Sequence, residues 1–184
     1  RLYEQAGVQC MQLEDQVSPK RCGHMAQKEV VDLQEAADKI AAAVAARSSA
    51  DFLIMARTDA RAVLGFDEAL RRGEAFLRAG ADLLFIEAPQ SQDELVKVAD
   101  TFKNVPLVAN MVEGGQTPYL SARELQQIGF SVVIYPVSTL LVIARTLQDS
   151  YAAMLQHGKL PEETQRLGFD EYNTMIGLDS LVPG

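Results

Sequence analysis

The chain has 184 residues, 48% of them hydrophobic and 23% charged, with a formal net charge of −8. This is long enough for one domain with a substantial core, and the composition is ordinary for a soluble globular protein. The acidic balance argues against the basic face that nucleic-acid binding needs and disfavours an anionic membrane surface, but it leaves room for a local cationic pocket and an anionic small-molecule ligand.

In chain order, the sequence opens at Arg1-Leu2-Tyr3-Glu4-Gln5, inside a helical pattern and without a methionine. A short apolar run, Val8–Leu13, follows and predicts a strand. An alanine-rich stretch with apolar positions at helical spacing predicts a helix over Gln34–Arg47. Phe52–Ala56 predicts the next strand, and a helix over Phe66–Arg78 begins after Gly65 and stops at Gly80. Ala81–Ile86 predicts a third strand. Ser91–Phe102 predicts a helix opened by a capping box of Ser91 and Glu94. Pro106–Ala109 predicts a fourth strand, and Ser121 with Glu124 repeats the box before Gly129. Ser131–Tyr135 predicts a fifth strand, and Ser138–His157 a long helix ending at Gly158. The remainder, 158–184, reads as a C-terminal extension with one short helix over Phe169–Ile176, so that 1–157 and 158–184 are the expected units.

The apolar runs are apolar almost throughout, as strands buried on both faces of a parallel sheet are. Strands alternating with helices predict an α/β fold. Polar groups stand at each strand end: Glu14-Asp15, Arg57-Thr58-Asp59, Glu87, Asn110 and Tyr135-Pro136. Their even spread over five strand ends favours a (β/α)₈ barrel over an open sheet, which concentrates its ligand contacts at one switch point. Five strands do not close such a barrel, so further strands are expected upstream of residue 1.

No apolar run reaches the roughly 20 residues that span a bilayer. The opening segment lacks the basic-then-apolar plan of a signal peptide. Two cysteines, Cys10 and Cys22, are too few for a disulfide scaffold, and a reducing, cytoplasmic setting is the expectation.

The most informative segment is Leu13-Glu14-Asp15-Gln16-Val17-Ser18-Pro19-Lys20-Arg21-Cys22-Gly23-His24. It sets two carboxylates at a strand end, then a thiol flanked by cationic groups that favour its thiolate. Such a cysteine is suited to moving a proton at carbon. Arg57 ends an apolar strand, where an unpaired guanidinium is costly to bury. A carboxylate is therefore its expected partner: one of a substrate, held in a bidentate fork, or Asp59 or Glu87.

These segments resemble the isocitrate lyase/phosphoenolpyruvate mutase superfamily, in particular its 2-methylisocitrate lyase, 2,3-dimethylmalate lyase and oxaloacetate hydrolase branch. Beside Glu14-Asp15-Gln16 and Lys20-Arg21-Cys22-Gly23-His24, the resemblance rests on Ala56-Arg57-Thr58-Asp59-Ala60 and Phe85-Ile86-Glu87-Ala88-Pro89. Ala109-Asn110-Met111, Thr117-Pro118, Tyr135-Pro136 and Gly168-Phe169-Asp170-Glu171 follow in order. It implies a (β/α)₈ TIM barrel of which this chain supplies strands four to eight. It also implies a Mg²⁺-dependent carbon–carbon lyase acting on a 2-hydroxy or 2-oxo dicarboxylate.

By the same resemblance, Cys22, His24 and Arg57 are the catalytic candidates. Lys20, Gly23, Arg57, Glu87, Asn110, Met111, Val112 and Pro136 are the substrate-binding candidates. Glu14 is expected to reach Mg²⁺ through water, with the direct aspartate ligands upstream of residue 1. Relatives that cleave tricarboxylates carry hydroxyls where this chain has Val112 and Gly114, and an arginine where it has Leu141. The resemblance therefore implies a smaller substrate, like 2,3-dimethylmalate, malate or oxaloacetate, with 2-methylisocitrate as a further option. A homotetramer exchanging C-terminal helices is also implied. The rival readings are P–C chemistry of the phosphoenolpyruvate mutase or phosphonopyruvate hydrolase kind, which the Cys-Gly-His run opposes, and a non-catalytic fragment or pseudoenzyme acting by association.

Overall fold

The structure is a computed structural model in which residues 1–21 and 27–181 are described. They fall into two compact units, 1–138 and 139–184.

In the first unit, five parallel strands alternate with helices. β1 (Cys10–Glu14), β2 (Leu53–Thr58) and β3 (Leu83–Ile86) form one ladder, and β4 (Val108–Asn110) and β5 (Val132–Ile134) another. A parallel bridge from Leu84 to Leu107 joins the two, so the strands follow chain order. Partners across a parallel pair share a face. Glu14 lies opposite Arg57, Arg57 opposite Phe85, and Asn110 opposite Ile134. The two-residue period of a strand then sends Ile54, Ala56, Leu84, Ile86, Leu107 and Ala109 to the other face.

That other face carries the helices. The main cluster packs Ile54, Ala56, Leu84 and Leu107 against Ala36 and Ile40 of α2 (Leu33–Ala46), Ala69 and Phe76 of α4 (Phe66–Arg78), Leu95 and Val98 of α5 (Gln92–Thr101), and Leu125 of α6 (Ala122–Ile128). Burying each large side chain there contributes about 1.5–3 kcal/mol. The inner face has a smaller cluster of Leu83, Phe85 and Val108, with Cys10, Leu53 and Met55 beside it. Helices on one side and side chains filling the other make this unit an arc of a (β/α) barrel.

The elements depart from the sequence expectations in a few places. The first strand starts at Cys10 rather than Val8, because Val8 N–H donates to Tyr3 O and closes off the short helix α1 (Leu2–Gln5). A short helix α3 (Ala60–Leu64), unread in the sequence, intervenes before Gly65. Ser121 and Glu124 form a complete capping box at α6. The box expected at α5 is only half made. Ser91 Oγ accepts from Glu94 N–H, but the Glu94 carboxylate turns to Gln90 N–H at 2.7 Å and to the Arg61 guanidinium at 2.6 and 3.0 Å. A bidentate, charge-assisted contact outcompetes a single backbone donor.

Gly73 and Gly80 are each required. A Cβ on Gly73 would stand 2.6 Å from Phe102 Cζ, so its absence lets α4 close on its neighbour. Gly80 turns the chain out of α4 at φ 100°, a conformation open to glycine at little cost.

In the second unit α7 (Ser138–His157) runs its expected length, followed by α8 (Phe169–Met175) and α9 (Leu178–Leu181). α7 and α8 have no buried residue. Leu140, Val142, Ile143, Tyr151, Leu155 and Phe169 are all exposed.

Candidate active site

The inner-face residues at the strand ends meet around one guanidinium. Arg57 Nε and Nη2 donate to Asp59 Oδ2 and Oδ1 at 2.9 and 3.1 Å. Glu14 Oε2 lies 3.4 Å from Nε, and Glu87 Oε2 3.7 Å from Nη2. The Phe85 ring closes one side, its centroid 4.8 Å from Cζ. A cation over an aromatic face is stabilised by roughly 0.5–2 kcal/mol. Nη1 makes no hydrogen bond among the described residues.

Burial alone lowers the guanidinium's pKa, but the hydrogen bond to Asp59 and the charges of Glu87, Asp59 and Glu14 outweigh it, and the net shift is upward. For Asp59 burial pushes up, while the Arg57 hydrogen bond and charge, with Lys28 assisting, hold the carboxyl below its ordinary value. Both groups stay charged in a desolvated place, which is the condition for a strong electrostatic site.

Around this centre, Asn110 Nδ2 donates to Glu87 Oε1 at 3.2 Å. Glu87 holds its place because its N–H continues the ladder onto Thr58 O at 3.0 Å. Ala88, buried at φ 56°, then swings the chain away. A left-handed alanine costs about 1–2 kcal/mol, strain of the kind that collects at functional sites.

Behind the site, Asp15 ties three elements together. It accepts from Thr58 Oγ1 at 2.6 Å, from Asp59 N–H at 2.9 Å and from Arg72 Nη1 of α4 at 2.9 Å. The segment after β1 is pinned to the same place. Gln16 accepts from Arg21 N–H and donates back to Arg21 O at 2.8 and 2.9 Å, and Gln16 bridges Val30 on the returning arm. Lys20 Nζ reaches Glu14 Oε1 at 3.2 Å, and Lys28 Nζ reaches Asp59 Oδ1 at 3.4 Å.

Of the residues singled out in the sequence, Glu14, Lys20, Arg57, Glu87 and Asn110 are thus brought together. Cys22, Gly23 and His24 lie outside the described residues. Met111 turns its side chain into the helix-side core, and its N–H is spent on Ile134 O at 2.9 Å, so it has no backbone donor to offer. Val112 is half-buried and closes a turn to Gly115 N–H at 3.0 Å. Pro136 is exposed, one strand beyond Asn110. Arg57's Nε/Nη2 fork is occupied by Asp59, the structural alternative read in the sequence, so a carboxylate ligand is left Nη1 and the second N–H of Nη2. Sequence reasoning missed Lys28 and Arg72. Both sit in charged runs that read as solvated, and no local signal marks either as buried.

Glu14 is the described residue that best fits a role toward Mg²⁺. Glu14 Oε2 is buried and accepts no hydrogen bond among the described residues, which suits a carboxylate addressing a metal-bound water. No group of three or more His, Cys, Asp or Glu among the described residues is arranged to hold a metal ion directly.

Known proteins share both sequence and fold. The phosphoenolpyruvate phosphomutase family model matches residues 1–155. A 2,3-dimethylmalate lyase of Eubacterium barkeri is 44% identical over 182 residues, 98% of this chain and 63% of that one. A crystal structure of 2,3-dimethylmalate lyase superposes with a TM-score of 0.88 at 34% identity, covering 97% of this chain and 60% of that one. A phosphonopyruvate hydrolase, solved with oxalate and Mg²⁺, gives 0.77 at 30% identity, covering 97% and 62%. The chain therefore spans somewhat under two thirds of the length of these relatives. With this match of sequence, strand order and fold, the chain belongs to the phosphoenolpyruvate mutase/isocitrate lyase superfamily.

Proposed function

We propose that the protein is a Mg²⁺-dependent lyase that cleaves a C–C bond of a 2-hydroxy or 2-oxo dicarboxylate. The observation that carries this reading is the Arg57 centre: a buried guanidinium, fixed in its plane by Asp59 and over Phe85, at the strand ends beside Glu14, Glu87 and Asn110. A cation held this rigidly with Nη1 to spare is suited to orienting a carboxylate.

In this reading Arg57 holds one substrate carboxylate, and the Asn110 amide, positioned by Glu87, contacts the substrate alongside it. Glu14, through its buried Oε2, would hold a bound Mg²⁺ by way of water. The chemistry a bound Mg²⁺ supplies there is Lewis-acid stabilisation of negative charge on the substrate's 2-oxygen. Cleavage leaves an electron pair on the departing carbon, and Cys22 protonates it, with His24 tuning Cys22 or binding a carboxylate and Lys20 and Gly23 contacting the substrate. Val112, Gly114 and Leu141 supply neither hydroxyls nor a cation, which favours a malate-like substrate such as 2,3-dimethylmalate or oxaloacetate over 2-methylisocitrate. The 2,3-dimethylmalate lyase relatives point the same way.

The likeness to phosphonopyruvate hydrolase keeps P–C chemistry as the second reading, and Cys22 is the residue that separates the two. The test is release of pyruvate from 2,3-dimethylmalate, 2-methylisocitrate and phosphonopyruvate, and of oxalate from oxaloacetate, with chelator and Cys22→Ser controls. We expect turnover of a malate-like compound that both controls abolish. Turnover of phosphonopyruvate alone would replace this reading with the second, and no turnover of any would leave a protein acting by association. A cytoplasmic setting, and 1–157 and 158–184 as barrel portion and helical extension, belong to the same proposal.

A further inference from the structure

Lys28 is the most buried cation near the site, yet none of the roles above uses it. Its side chain is 2% exposed, and its Nζ stands 3.4 Å from Asp59 Oδ1, on a carboxylate that is itself 0% exposed. The same Asp59 oxygen accepts from Arg57 Nη2 at 3.1 Å. One carboxylate therefore sits between two buried cations. Taking an ammonium out of water costs several kcal/mol, which a lysine in a loop avoids by turning outward.

The charges around Arg57 give a reason for the burial. Asp59, Glu87 and Glu14 bring three negative charges to within 3.7 Å of the guanidinium, at side-chain exposures of 0%, 0% and 17%. Arg57 answers one of them. Lys20 on Glu14 is 58% exposed, so solvent screens its contribution. Among the groups of the centre at 0–9% exposure, Asp59 and Glu87 balance Arg57 and Lys28; without Lys28 that set would carry one net negative charge and would repel the anion that Arg57 is there to hold.

We propose that Lys28 is a positioning residue that neutralises Asp59, so that Asp59 fixes the plane of Arg57 without cancelling its charge toward a bound dicarboxylate. This rests on the reading of Arg57 as the carboxylate clamp. Removing one buried charge at this range in a partly desolvated site is expected to change anion affinity by about tenfold or more.

The test is calorimetric binding of oxalate in the presence of Mg²⁺ to the protein and to Lys28→Met, Lys28→Arg, Asp59→Asn, Lys28→Met/Asp59→Asn and Arg57→Ala, with melting temperatures measured in parallel. We expect Lys28→Met to weaken oxalate by about tenfold or more while Lys28→Arg stays close to the parent. The double variant, neutral again at this point, should recover a large part of the loss, a coupling that a purely structural lysine would not show. Should Lys28→Met fail to fold, Lys28→Arg and the double variant against Asp59→Asn carry the comparison. Full affinity in a folded Lys28→Met, or no recovery in the double variant, overturns the proposal. If Arg57→Ala alone abolishes binding, the clamp reading survives that failure. If Arg57→Ala also binds normally, both fall together.

Discussion

Asp59 joins the Arg57 guanidinium to the supports behind it, and its charge sets how the centre responds to acid. Its folded-state pKa is depressed, burial being overcome by the Arg57 hydrogen bond and charge. A depressed carboxylate contributes stability above its unfolded value, about 3.9, and that contribution is lost as pH falls through the lower folded value. We therefore expect urea denaturation to show stability falling as pH drops below about 4, with a shallower acid limb in Asp59→Asn. An unchanged acid limb would mean that the folded-state pKa of Asp59 is not depressed. The residues around Asp59 differ in how far the sequence disclosed them. Arg57 was legible because an arginine closing an apolar strand must find a partner, and Glu14 because it stands at a strand end beside a distinctive loop. Lys28 was not legible: in Gln27-Lys28-Glu29 it reads as a solvated charge, and only the return of the loop onto Asp59 buries it. Arg72 was hidden for a related reason. One turn from Glu68 and one from Phe76, it shares the buried face of α4, where Asp15 makes its burial tolerable.

Among elements, α4 is the one whose fit is tightest. Its buried face consists of Ala69, Arg72, Gly73, Ala75 and Phe76, small residues that bring its backbone close to the sheet. Gly73→Ala would gain about 1 kcal/mol of helix propensity. The new methyl, however, would meet Phe102 Cζ at 2.6 Å and Ile86 Cδ1 at 3.3 Å, and overpacking of this kind costs about 1–3 kcal/mol. We expect a net loss of stability in chemical denaturation, and a gain would show that the Phe102 ring moves aside freely. The strands were legible because burial on both faces leaves an uninterrupted apolar run. Their ends were read too short: the ladder carries Glu14, Arg57 and Thr58 inside β1 and β2, since backbone pairing continues wherever polar side chains find partners. Helix α3 went unread because Ala60–Leu64, only five residues long, offers too little periodicity to separate it from a loop.

On the scale of the whole molecule, the two units pose different questions. The first has its inner face lined at β5 by Val132 and Ile134, 38% and 36% exposed, and the second exposes apolar side chains along α7 and α8. Apolar surface on this scale marks an interface more often than a solvated face. We propose a homo-oligomer, a tetramer exchanging C-terminal helices as the family resemblance implies. Sedimentation should give a mass several times that of one chain, and a monomer at working concentration would refute it. Product analysis in D₂O tests whether the Arg57 centre serves C–C cleavage with protonation of the departing carbon. Cleavage of 2,3-dimethylmalate between C2 and C3 yields pyruvate and propionate. We expect one deuteron at C2 of the propionate, none gained by the pyruvate during cleavage, and loss of the reaction in Arg57→Ala. An intact substrate, or cleavage that survives in Arg57→Ala, would contradict it.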